Sequence, residues 1–140
     1  MNAKIARVGV LAIVTWSCAG NGTGLDEYDP AESGMSATLS SIQENIFTPL
    51  CTQCHTGPAA PSDLALDSAV AYQSLVGVPS SQVPTLMRVN PYEPDASFLV
   101  WKVEDRPGIV GGRMPLGLPK LSKEQIAIIR GWIVGGAQAN

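Results

Sequence analysis

The stretch CTQCH at residues 51–55 holds two of the chain's three cysteines and its only histidine. Any fold this chain adopts must bring two thiols and an imidazole together at one place. Three chemistries use such a cluster: a redox dithiol, one half of a zinc centre, and the covalent seat of a haem. Each makes a different demand on the remaining residues.

A thioredoxin-type dithiol needs its Cys-x-x-Cys between a strand and a helix, where the helix N-terminus stabilises a thiolate. Here a helical pattern precedes the motif and a Gly/Pro loop, TGPAAPSD, follows it. Structural zinc needs four ligands, usually from two separated pairs, and the chain has no second cysteine pair and no second histidine. Haem asks only for what is present. Two thiols three residues apart add to the two vinyl groups of one haem, and the histidine that follows donates a ring nitrogen to the iron. Cys51 and Cys54 are therefore expected as thioether sites and His55 as the proximal iron ligand, with one covalent haem c as cofactor.

The N-terminus agrees with that chemistry. Lys4 and Arg7 precede the short apolar run VGVLAIVTW, the layout of an export signal over residues 1–17. The run is too short for a mature membrane-spanning helix, which needs about 20 residues. TWSC then places Cys18 behind the small Ser17, resembling a bacterial lipobox in which the cysteine is acylated; ordinary signal cleavage nearby is the alternative. With Cys18 lipidated and the other two cysteines on one cofactor, no odd thiol is left. The chain is expected on the periplasmic side of a bacterial membrane, held by a lipid anchor.

The formal charge is −3, and the nine basic residues form no run or stripe. That balance argues against nucleic acid as a partner and permits docking on a basic protein surface.

Residues 18–37 are Gly-, Asp-, Glu- and Ser-rich without periodicity and read as a flexible tether; residues 38–140 read as one mainly helical domain. Leu39, Ile42, Ile46 and Phe47 recur at helical spacing, and Pro49 is expected to stop that helix. DSAVAYQSLVG predicts a short helix capped by Asp67 and stopped at Gly77, and PDASFLVWKVED a second, capped by Asp95. In LSKEQIAIIRGWIVGGA, Ser122 and Gln125 form a capping-box pair. Ile126, Ile129 and Ile133 line one face of that helix beside Trp132, and Gly135 and Gly136 end it. No sustained strand alternation appears.

One histidine rules out two histidine ligands from this chain, so the expected sixth ligand is a methionine thioether. Met114 is favoured in GGRMPLGLP: Gly111, Gly112 and Pro115 make a loop with few side chains that can pass close over a flat ring, and the last helix follows to hold it. Met87 reads as a gap-filling core residue. Arg113, beside Met114, is a candidate contact for a haem propionate, weighed against a solvated loop arginine. Trp101 and Trp132 serve either the pocket or the helix–helix core.

NIFTPLCTQCHTG, NPYEPDASFLVWKVE, RMPLG and the last helix together resemble the small exported bacterial monohaem cytochrome c domains, of the class I cytochrome c kind, over residues 38–137. The resemblance implies an all-α fold in which first and last helices cross, so that Ile46 or Phe47 touches Ile129 or Trp132. Two short middle helices and Gly/Pro loops would surround one haem. It also implies thioethers at Cys51 and Cys54 and axial ligation by His55 and Met114. Residues 57–94 are longer and more proline-rich than in minimal members. The function implied is one-electron transfer to a redox partner protein, not enzymatic turnover. The competing readings are a haem peroxidase or gas sensor with an open sixth position, and an electron-wiring subunit of a larger oxidoreductase complex.

Overall fold

The first helix opens at Thr38, whose hydroxyl accepts from the Ser41 amide at 3.2 Å, and a single α turn follows, Leu39–Ile42 (α1). First-turn amides have no partner within their own helix. Two of these bond to Asn140, Leu39 N to its side-chain oxygen at 3.0 Å and Ser40 N to its carbonyl at 2.8 Å. The helix then runs through Pro49 instead of stopping before it, as a wider π-helical segment, Gln43–Cys51. A proline ring in an α turn removes one N–H and crowds the carbonyl four residues back. The wider turn relieves that crowding, and the closing bond, Thr52 N to Phe47 O at 2.9 Å, spans five residues.

The computed structural model describes residues 34–140; the expected signal at 1–17, the lipidation site Cys18 and the tether up to residue 33 lie outside them. Met35 packs against the core, and an added Cβ at Gly131 would lie 3.2 Å from that of Ala37. The packed body thus begins ahead of residue 38.

Two further short helices are Ala71–Leu75 (α2) and Phe98–Glu104 (α3). Neither is capped as expected. The Asp67 carbonyl accepts the amides of Val70 and Ala71, but its carboxylate turns to the Thr56 hydroxyl and the Gly57 amide. Ser97, not Asp95, holds the cap position of α3. The Asp95 carboxylate accepts from Arg106 at 2.5 Å and Arg130 at 3.0 Å, and Glu104 closes the ring of charges at 2.6 and 3.0 Å. In both cases strong donors converge from elsewhere in the fold, and a carboxylate bonded to them is better placed than one on a single helix amide.

The last helix, Lys123–Val134 (α4), has the predicted capping box: Gln125 N to Ser122 Oγ at 3.1 Å, and Ser122 N to Gln125 Oε1 at 2.9 Å. It ends at Gly135. Among the described residues the regular elements are helices, and β-pairing is limited to the isolated bridges Val76–Val89, Pro79–Met87 and Met87–Ser97. No helix of the described residues is long and apolar enough to cross a membrane.

α1 packs on α4, and Ile46, Phe47, Ile129 and Trp132 belong to one buried cluster with Leu75 and Val100. Trp132 is the largest fully buried side chain, and its indole N–H donates to Gln138 O at 2.8 Å. Trp132→Ala should cost about 3–5 kcal/mol in a denaturant titration, from the cavity and the lost bond together.

The charge ring makes a second prediction. Hydrogen bonds from Arg106 and then Arg130 hold the Asp95 carboxyl below the usual carboxylate range. A carboxyl whose folded value is depressed stabilises the fold above its unfolded value, about pH 4, and loses that contribution as pH falls through the folded value. Asp95→Asn should therefore melt a few degrees lower than wild type at pH 7, and the two curves should converge near pH 2. A gap that persists in acid would place the effect in packing.

Candidate functional site

The motif continues the π-helical segment as one more helical turn. Cys54 N and His55 N both donate to Cys51 O, at 3.1 and 2.9 Å. Residues three and four apart on such a turn share a face, so Cys51, Cys54 and His55 point to one side. The two residues between the cysteines hold the turn down: Thr52 Oγ1 donates to Thr48 O at 2.7 Å and Gln53 Nε2 to Pro49 O at 2.8 Å. Burial pushes the Cys51 thiol up to about 11, so Cys51 stays protonated at neutral pH, while Cys54 is exposed.

A strap from Leu64 to Asp67 fixes the histidine. His55 Nδ1 lies 3.0 Å from Leu64 O; a carbonyl only accepts, so Nδ1 carries a proton, and in the neutral ring the lone pair is on Nε2. Leu66 N donates to His55 O at 2.8 Å, and Gln43 Nε2 anchors the strap at Leu66 O, 2.9 Å away. Asp67 then locks Thr56 and Gly57, and those two bonds, the hydroxyl's first, lower its carboxyl from the usual value.

Cys51, Cys54, His55 and Met114 all line one cavity of about 390 Å³. That lies within the roughly 300–1,000 Å³ typical of ligand and cofactor sites. Ile46, Phe47, Leu75, Phe98 and Ile129 supply apolar wall. Among the described residues no three His, Cys, Asp or Glu side chains cluster around a position for a bare metal ion.

The methionine loop is tied to α3 twice through one residue: Met114 N donates to Lys102 O at 2.9 Å, and Lys102 Nζ to Val110 O at 2.8 Å. A Cβ at Gly112 would meet the Leu116 Cδ1 methyl at 2.8 Å, and the exposed Leu116 side chain would have to swing aside. Arg113, a candidate propionate contact weighed against a solvated loop arginine, is not on the cavity wall; its guanidinium donates to Leu118 O at 3.1 Å and Met114 O at 3.4 Å, bracing the loop from within. Met87 is also off the wall and is 38% exposed, not a core filler. Trp101 and Trp132 do not line the cavity; each donates its indole N–H to a backbone carbonyl, Asp95 O and Gln138 O.

The two charged wall residues, Lys102 and Arg88, were not anticipated from the sequence. Arg88 spends its guanidinium on Ser62 O, Ser74 O and Asp63 O, holding the 61–63 turn beside the cavity. No pattern in its proline-rich stretch signals this. Lys102 carried a signal: it sits four residues after Phe98 and three after Leu99, on the face those residues bury.

Comparison with protein-family models, curated proteins and solved structures finds no match to this chain.

Proposed function

We propose that this chain is a one-electron carrier holding a single haem c covalently through Cys51 and Cys54, with His55 and Met114 as axial ligands. The observation that carries the reading is the set of donors on one apolar cavity: two thiols, a thioether and an imidazole whose Nδ1 is committed to Leu64 O. These residues fit the group in chemistry. A lone pair on Nε2 is what iron ligation requires, and a backbone carbonyl on the other nitrogen fixes the ring and raises its basicity. The Met114 thioether is the soft partner that favours the reduced state.

Bound there, the haem supplies an iron that changes oxidation state by one electron. The chain's own work is to hold it. With His55 and Met114 both engaged, the group would offer no open position to a substrate, and the apolar wall would keep water away from it. The order of elements supports a class I cytochrome c-like domain: helix, cysteine–histidine turn, methionine loop, last helix packed on the first. With the N-terminal export and lipobox pattern, the reading places the domain on the periplasmic side of a bacterial membrane, tethered through acylated Cys18, where it exchanges electrons with a partner protein.

A pyridine haemochrome spectrum and an intact mass of the purified protein test this together. A thioether-type spectrum with one haem added to the polypeptide mass is expected. A vinyl-type spectrum, or a mass with no haem, would sink the proposal.

A further inference from the structure

Lys102 is a buried cation whose charge the proposed mechanism leaves unused. Its residue is only 7% exposed, and lysines are almost never buried to that degree unless paired. Among the described residues no carboxylate answers it. Asp95 and Glu104 are taken by Arg106 and Arg130, Asp105 by Lys120, and Asp67 by Thr56 and Gly57. An ammonium carries three donors. One goes to Val110 O, and the Phe98 ring lies 5.9 Å away.

The other cations near the site are already committed. Arg88 is bonded to three carbonyls and Arg113, off the wall, to two. Arg88 shares the wall but is only half-buried and ties down the 61–63 turn; Lys102 combines a place on the wall with near-complete burial, unspent donors and no anion. A buried charge of this kind is costly unless an opposite charge shares its site.

We infer that Lys102 is the counter-ion for an anionic group of the cavity's occupant, which, resting on the haem reading above, is a haem propionate carboxylate. The role for which Arg113 was a candidate falls to Lys102. The pair serves two ends: it anchors the carboxylate, and through Val110 and Met114 it couples that anchor to the loop bearing the sulfur ligand.

The test uses the mature haem protein and four chains: wild type, Lys102→Gln, Lys102→Arg and, as an equal charge change at a 69%-exposed lysine, Lys120→Gln. Covalent haem is verified first; its absence from wild type overturns the carrier reading, and this inference with it. Given haem, Lys102→Gln should lower the reduction potential by at least about three times the shift of Lys120→Gln, because an uncompensated carboxylate in a low-dielectric site favours ferric iron. Lys102→Arg should restore most of that loss. The ferric near-infrared Fe–S band should survive in Lys102→Gln, whose amide still offers a donor for Val110 O. Equal shifts at the two lysines overturn the inference, as does loss of the Fe–S band, which would make Lys102 a loop clamp only. If Lys102→Gln does not accumulate, wild type decides: nuclear Overhauser contacts between the Lys102 ε-methylene and a propionate methylene are expected, and their absence overturns it.

Discussion

Cys51→Ala/Cys54→Ala protein, matured alongside wild type, will surrender whatever haem it carries to acidified acetone, and its haem content will fall more than about tenfold. Wild type under the same extraction will keep its colour on the polypeptide. A tether that never dissociates holds its ligand at a high effective concentration, on the millimolar scale or above, and removing it leaves only ordinary affinity. The two single variants separate the bonds. Each should retain covalent haem through one sulfur, with a spectrum intermediate between the thioether and vinyl types. Haem that stays on the double variant through denaturing extraction would show attachment by some other residue.

The two sulfurs are not equivalent, and the structure says why. Cys51 ends the π-helical segment, packs against the core and donates weakly to Ile46 O at 3.7 Å. Cys54 is exposed three residues on. Cys51→Ala therefore removes packing as well as a bond, and should lower melting temperature in the haem-free chain where Cys54→Ala does not. The turn itself should survive both changes, since the bonds that shape it run between backbone groups and the side chains of Thr52 and Gln53.

What was legible in the sequence was local. The Ser122–Gln125 box works over three residues, and the apolar spacing of Ile42, Ile46 and Phe47 sets a helix face whatever lies opposite. The motif and Met114 could be named because thiol, imidazole and thioether chemistry narrows the choices in a chain with one histidine. What escaped was settled by distant partners. Asp67 and Asp95 look like helix caps in any ten-residue window, yet Asp67 bonds to Thr56 eleven residues away and Asp95 to Arg130 thirty-five away. Pro49 looks like a stop because the usual rule assumes an α turn, whereas the chain widens there into a π-helical segment. Lysine is a solvated residue by type, but the position of Lys102 four after Phe98 puts it on a buried face.

Met114→Ala is the other change with a large expected effect, because it removes the proposed sulfur ligand without disturbing what holds the loop. The Met114 amide bonds to Lys102 O through backbone alone, and Arg113 braces Leu118 O and Met114 O regardless of the side chain at 114. Alanine should leave the loop in place with its sulfur gone. Three readings should then move together. The ferric near-infrared Fe–S band disappears, the ferrous protein binds carbon monoxide rapidly, and the reduction potential drops by on the order of 100 mV, a fraction of the ~0.8 V that axial ligands span. Met87→Ala, at an exposed position off the cavity wall, should leave all three at wild-type values. Rapid carbon monoxide binding by untreated wild type would mean that the sixth position is open from the start, and the chain would then be a sensor or peroxidase and not a carrier. A Fe–S band that persists in Met114→Ala and vanishes in Met87→Ala would require the 79–97 segment, with its bridges at Pro79, Met87 and Ser97, to rearrange over the cavity when the iron is present.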